Sequence, residues 1–306
     1  MKRVLVVSYD AGGAEVVSAW VKKYGDADYR FLLDGPAVKV FRRKQCAIDV
    51  LPVSEMEAGI SAADFVLTGT GYGSNLEKIA ISTARLQGTP VAAYLDHWTN
   101  YRERFDWEGR EVLPSEIWAG DLYAFSLAEK TFPVSVVKLV PNEYLEEMRE
   151  QIEAFPRPAG DRNKIRVLYV TEPTSVAAKA NHGDIRSYGY TEYEALDQYL
   201  TYLEGTGNKV AVVVRPHPAE TAAKYLAVIE KHRNELPVSE SSGRTLAEDC
   251  AWADWVVGCD SMALVIALHA GKRVFSCIPE CGPRMSLPYP EIIQLFKSQE
   301  FRTADP

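Results

Sequence analysis

No basic run in this chain exceeds Arg42-Arg43-Lys44, and its 306 residues carry a formal net charge of −8. A nucleic-acid backbone needs clustered lysine and arginine to displace its counterions, so DNA and RNA are set aside as partners. Long apolar runs are missing too. No stretch approaches the ~18 residues of a membrane span, and the opening MKRVLVVSYDAGG breaks into Asp10 and glycine well short of a signal-peptide core. It reads as a first strand, and a cytoplasmic protein is expected. Cysteine is scarce: Cys46, Cys250, Cys259, Cys277 and Cys281 are odd in number, without CxxC or a histidine at ligand spacing. Reduced, mostly buried thiols fit that pattern better than a disulfide framework or a zinc site. No strand end carries a DxD-like carboxylate pair, so no metal is expected.

What is present is an ordinary globular composition, 47% apolar and 25% charged, over a length that exceeds one comfortable core. Two domains are expected. Nearly continuous apolar runs alternate with stretches of helical period, the pattern of βαβ units around parallel sheets covered on both faces. In the first half, strands are expected over 4–9, 29–34, 47–52, 63–69, 91–96, 115–120 and 135–141. Helices are expected over 14–23, 37–43, 75–87, 122–131 and 142–154. FPRPAGDRNK, 155–164, gathers proline, glycine and charge and places the boundary between domains 1–156 and 157–306. The second half predicts strands over 165–173, 209–218, 237–241, 254–260 and 272–279, with helices over 191–204, 219–234, 246–253, 261–270 and 291–298. The fold class is therefore α/β, two doubly wound parallel-sheet domains facing each other across a cleft.

Ligands of open α/β sheets bind beyond the carboxyl ends of the strands. In VAVVVRPHPAET, 210–221, such an end carries Arg215 and then His217 between Pro216 and Pro218. The two prolines fix φ and restrict the residues before them, so the imidazole is held still, as a ligand contact requires. Arg215 offers a planar fork to an oxyanion or pairs with a carboxylate such as Glu220. In GCDSMALVIALHAGKRVF, 258–275, Asp260, Ser261 and Met262 stand where a strand passes into a helix. Ser261 is an ordinary N-cap by itself, but the same first-turn N–H groups accept a phosphate, and His217 is read at the end of a neighbouring strand.

This half resembles the C-terminal nucleotide-binding domain of GT-B glycosyltransferases: an HP pair after a strand, then D-x-VVG-x-x-S-x-x-L-x-x-A some forty residues on. The likeness is to bacterial sialyl- and polysialyltransferases, capsule Kdo transferases and CDP-glycerol glycerophosphotransferases, covering roughly 165–280. It implies a nucleotide-sugar donor as substrate and no separate cofactor, with His217 and Ser261 on donor phosphate. It also implies that Glu172, Ser241 and Ser242 line the nucleotide, with a lean toward cytidine.

The first half is then expected to hold a saccharide acceptor and the base. VAAYLDHWTNYRERF, 91–105, ends a strand in Asp96 and His97, a general-base composition, although Asp96 as a cap and His97 as filling is the plain alternative. Trp98, Tyr101 and Phe105 suit stacking on a sugar or packing under a loop, and Arg102 and Arg104 suit an acidic substrate group. DAGGAE, 10–15, lacks both the third glycine of a dinucleotide fingerprint and the GK[ST] of a P-loop. Gly12 and Gly13 are read as letting a ligand approach the backbone, with Asp10 a second base candidate. Gly69, Gly71 and Gly73 precede a helix capped by Ser74 or Asn75.

This half also has an architectural likeness to the hydrolysing UDP-GlcNAc 2-epimerases, through LPSEIWAGD leading into a helix. It departs from them in having GTGYG and DHWTNY where that family carries GDT-like and EAGLR-like carboxylates. The reading is a metal-independent transferase moving a sugar to a hydroxyl in surface polysaccharide assembly. A nucleotide-sugar epimerase or hydrolase and a non-catalytic nucleotide-sugar-binding protein are the alternatives, and oligomeric state, a homodimer included, is left open.

Overall fold

The computed structural model describes residues 1–45, 48–156 and 164–297. Cys46, most of the 155–164 segment and Ser298 fall outside these. The chain divides into two compact units, Met1–Glu147 and Met148–Pro306. Among the described residues no helix is long and apolar enough to cross a membrane.

The first unit runs β1 (Arg3–Ser8), α1 (Ala11–Lys23), β2 (Asp28–Leu33), α2 (Pro36–Gln45), α3 (Met56–Ala62), β3 (Phe65–Thr68), α4 (Leu76–Gln87) and β4 (Val91–Leu95). It continues through α5 (Tyr101–Arg104), a small hairpin of β5 (Asp106–Trp107) and β6 (Arg110–Glu111), β7 (Glu116–Ala119), α6 (Leu122–Thr131), β8 (Val136–Leu139) and α7 (Glu143–Ala154), which reaches into the second unit. The sheet order is β2-β1-β3-β4-β7-β8, all parallel. The expected strand over 47–52 shrinks to one parallel bridge between Val50 and Phe31 on the outer edge of β2. The sheet is buried on both faces, which is why its strands read as unbroken apolar runs: Leu5 and Val7 of β1 pack in one core, Val4 and Val6 in the other.

The second unit runs β9 (Ile165–Val170), α8 (Thr174–His182), α9 (Glu192–Thr206), β10 (Val210–Arg215), α10 (Leu226–His232) and β11 (Val238–Glu240). It ends with α11 (Leu246–Trp252), β12 (Trp255–Gly258), α12 (Met262–His269), β13 (Arg273–Ser276) and β14 (Ile293–Gln294). Its order is β11-β10-β9-β12-β13-β14, again parallel. Capping boxes start α9 at Thr191 with Glu194 and α11 at Thr245 with Glu248. Three expectations change here. The helix expected over 219–234 is only α10, because 219–225 is turn, with Ala223 at φ 66°. The one expected over 291–298 is not found in its described part, 291–297, where Ile293 and Gln294 pair with Phe275 and Ser276 as an edge strand. Helix α8, with Pro173 at its start, was not anticipated. Cys250, Cys259 and Cys277 are buried free thiols and Cys281 is exposed.

In each sheet the chain winds outward on one side and then returns to the other side of its first strand. The switch points therefore lie between β1 and β3 in the first unit and between β9 and β12 in the second, the positions at which open α/β sheets bind ligands.

Candidate functional site

At the first switch point Asp10 precedes α1 without capping it. Its Oδ2 instead accepts the N–H groups of Tyr72 (2.6 Å) and Gly73 (3.2 Å). A Cβ at Gly71 or Gly73 would overlap that carboxylate, so the clasp requires glycine at both positions. Asp10 thus clamps the 69–73 loop, which displaces its reading as a base. Gly12 and Gly13 lie in the first turn of α1. A Cβ on Gly13 would come within 3.3 Å of the Gly69 Cα, and one on Gly12 would strike Asp96 Oδ2. Both glycines serve close packing of strand-end loops.

Asp96, at the end of β4, accepts from Arg104 Nη1 at 2.5 Å and from Thr70 Oγ1 at 3.4 Å through Oδ1. Arg104, buried, also donates to the carbonyls of Thr70 (2.6 Å) and Thr99 (3.1 Å). These contacts commit the Asp96 carboxylate to Arg104 and Thr70. Arg104 is likewise occupied and not offered to a substrate, while Arg102 pairs with Glu111 on the surface. His97 Nδ1 lies 3.1 Å from Thr99 Oγ1, with its ring tilted against Trp98. Trp98, Tyr101 and Phe105 are buried, so the packing alternative holds for all three.

One residue here escaped the sequence reading. Glu77, in the first turn of α4, is 3% exposed; its Oε1 accepts Tyr9 N–H at 2.7 Å, and its buried Oε2 has no hydrogen-bond partner among the described residues. Burial, with smaller contributions from the charges of Asp10 and Asp96, pushes its carboxyl up to about 7. A glutamate at a helix start is so ordinary a companion of the helix dipole that the sequence carries no signal of this.

At the second switch point Glu172 follows β9. Its residue is partly exposed, but its carboxyl is enclosed, and Oε2 accepts the Asp260 N–H at 2.8 Å, joining the ends of β9 and β12. Burial pushes Glu172 up to about 7, with Asp260 and Glu220 adding to the rise. Asp260 in turn accepts the N–H groups of Ser286 (2.9 Å) and Leu287 (3.2 Å). Ser261 caps α12, its Oγ accepting from Ala263 N–H at 3.3 Å, with Met262 the first helical residue.

His217 is half-buried past the end of β10, its main-chain N–H shared between Glu220 Oε2 (2.9 Å) and Thr171 Oγ1 (3.0 Å). Its Nδ1 accepts the Ala219 N–H at 3.1 Å. With Nδ1 committed as an acceptor, the neutral ring must carry its proton on Nε2. Burial lowers the His217 value, opposed by the charge of Glu220. The ring is therefore a neutral, single N–H donor.

Other expectations are corrected. β10 and β12 are not neighbours: β9 lies between them, so two strand spacings, roughly 10 Å, separate the ends that carry His217 and Ser261. Thr171 and Glu172 fill that interval, bonded to the His217 and Asp260 main chains. Arg215 pairs with Asp249 Oδ2 (2.7 Å) rather than Glu220. Asp249 is fully buried, accepts from Ser241 Oγ (2.6 Å) and is also ion-paired with Arg244 Nε (2.8 Å). Arg215 and Ser241 thus brace β10 and β11 against α11, while Ser242 stays exposed.

No family model matches the chain, and no curated protein does. Solved structures do. The UDP-GlcNAc 2-epimerase of Neisseria meningitidis bound to UDP-GlcNAc is 12% identical and superposes with a TM-score of 0.61 over 97% of this chain and 88% of the other. MurG of Acinetobacter baumannii is also 12% identical, with a TM-score of 0.52 over 90% of this chain and 78% of that one. At such identity the likeness is one of fold: two six-stranded parallel sheets flanked by helices, the GT-B architecture shared by glycosyltransferases and UDP-GlcNAc 2-epimerases.

Proposed function

We propose that the chain is a glycosyltransferase that moves a sugar from a nucleotide donor to a hydroxyl acceptor. The observation that carries the reading is the His217 ring, fixed between prolines in one tautomer with Nε2–H as its remaining donor. A phosphate seated at the second switch point would receive that N–H on one side and the amino end of α12 on the other, charge stabilisation prepared before the bond breaks. The acceptor oxygen forms the new bond to the sugar as the bond from sugar to phosphate oxygen breaks. The hydroxyl proton passes to a general base; within the first unit His97 is the candidate, since Asp96 is held by Arg104. The nucleotide leaves with the bonding electrons.

Epimerisation or hydrolysis of a nucleotide sugar is the second reading, favoured by Glu77, whose carboxyl, pushed up to about 7 by burial, suits proton transfer near neutral pH. Thermal-shift titration of the intact protein with CMP, CDP, UDP and GDP tests the common ground, because a native-state ligand at a hundred times its Kd adds about 2.7 kcal/mol. At least one is expected to raise Tm in wild type and not in His217→Ala. Stabilisation by none of them removes both readings. Nucleotide release from the sugar donor that requires an added saccharide acceptor supports transfer; release or epimer formation without one supports the alternative.

A further inference from the structure

We propose that Glu220 is the positioning residue of the His217 ring, holding it in the place and tautomer that a donor phosphate meets; this rests on the functional reading above. Its carboxylate is saturated by four donors although its side chain is 2% exposed. Oε2 accepts from Thr171 Oγ1 (2.5 Å) and the His217 N–H (2.9 Å), and Oε1 from Lys224 Nζ (2.6 Å) and Tyr225 Oη (2.7 Å). A buried carboxylate is tolerated only with such pairing, and once paired it is rigid.

Three contacts follow from this anchoring. Thr171 ties the His217 loop to the end of β9, so the ring is placed relative to the switch point rather than only to its own strand. The Glu220 N–H closes back on the His217 carbonyl at 2.8 Å, and inside that turn the Ala219 N–H reaches Nδ1 and selects the tautomer. Lys224 is shared with Glu192, which accepts the N–H and hydroxyl of Ser175 at the start of α8, both at 2.8 Å. Two carboxylates on one ammonium leave a net negative charge beneath the loop. Glu220 is therefore felt by the imidazole electrostatically as well as through the main chain. Lys224 and Glu192 act through Glu220, not on His217 itself.

The test is NMR of the histidine ring nitrogens in full-length wild type and Glu220→Gln, with the His217 signals assigned by their loss in His217→Gln. The His217 midpoint is expected to fall further in Glu220→Gln, and its nitrogen shifts to move toward a tautomer mixture. His232, bonded to Glu204 and Asp197 elsewhere in the unit, should not move. Affinity for CDP and UDP by calorimetry should weaken about tenfold or more, the scale of loss from a small misplacement. An unchanged His217 midpoint and tautomer in Glu220→Gln overturns the proposal. Should that variant not fold, Thr171→Val, which removes one hydroxyl from the same oxygen, must shift the His217 signals, and unchanged signals again overturn it. Altered His217 signals in a protein whose wild type binds no nucleotide leave the positioning role standing and remove the transferase reading.

Discussion

Glu77 is where a single side chain sets a property of the folded protein. In the native state it keeps its proton to about pH 7, against an ordinary 4.5, so between those values the native state binds more protons than the unfolded one. Stability therefore falls as pH rises through this window. The gap is worth about 3 kcal/mol. Glu77→Gln, which cannot ionise, is expected to gain on wild type by up to that amount between pH 5 and pH 8 in chemical denaturation; a difference independent of pH refutes the assignment. Glu172 shifts in the same direction, so Glu77→Gln should keep part of the slope. At His217 the fixed tautomer predicts that Gln, which keeps an N–H near the Nε2 place, retains more transfer activity than Ala, whose loss is expected at about 10²–10³-fold. Equal losses would mean that the ring serves packing.

At the scale of elements, the glycines separate two uses of the same residue. Gly71 lies against the Asp10 carboxylate that holds the Tyr72 and Gly73 N–H groups, whereas Gly205, in α9, has open space where a Cβ would go. Gly71→Ala is expected to destabilise by about 1.5–3 kcal/mol through loss of charge-assisted hydrogen bonds. Gly205→Ala should be neutral or stabilise by up to about 1 kcal/mol, from helix propensity. Paired melting curves check both, and a neutral Gly71→Ala would show that the clasp is dispensable. The strands were legible because a strand buried on both faces has no polar positions to interrupt it, as β1, β4 and β10 show. Less legible were segments whose state depends on neighbours. Residues 293–294 carry a helix-compatible pattern yet complete the edge beside β13, and 219–225 are held in turns by Glu220 and Glu240 accepting nearby N–H groups.

For the molecule as a whole, Asp249 shows how the second unit is tied together: one fully buried carboxylate joins Arg215 at the end of β10, Ser241 after β11 and Arg244 before α11. Asp249→Ala strands two guanidiniums and is expected to cost about 3–5 kcal/mol. Hydrogen exchange should lose protection in β10, β11 and α11 and keep it in the β1–β4 sheet; uniform protection throughout would show that the brace carries little. What the sequence by itself determined was the alternation, the parallel sheets and the strand ends where chemistry collects. Apolar periodicity and the rigidity of Pro216 and Pro218 are local properties, readable without coordinates. Only the tertiary structure decided which side chains at those ends are occupied. It turned Asp10 into a loop clamp, Arg215 into a brace and Asp96 into the partner of Arg104, and it enclosed Glu77 and Glu172 so that each holds a proton near neutrality. Pairing and desolvation depend on what distant segments bring within hydrogen-bond reach, and no spacing along one chain specifies that.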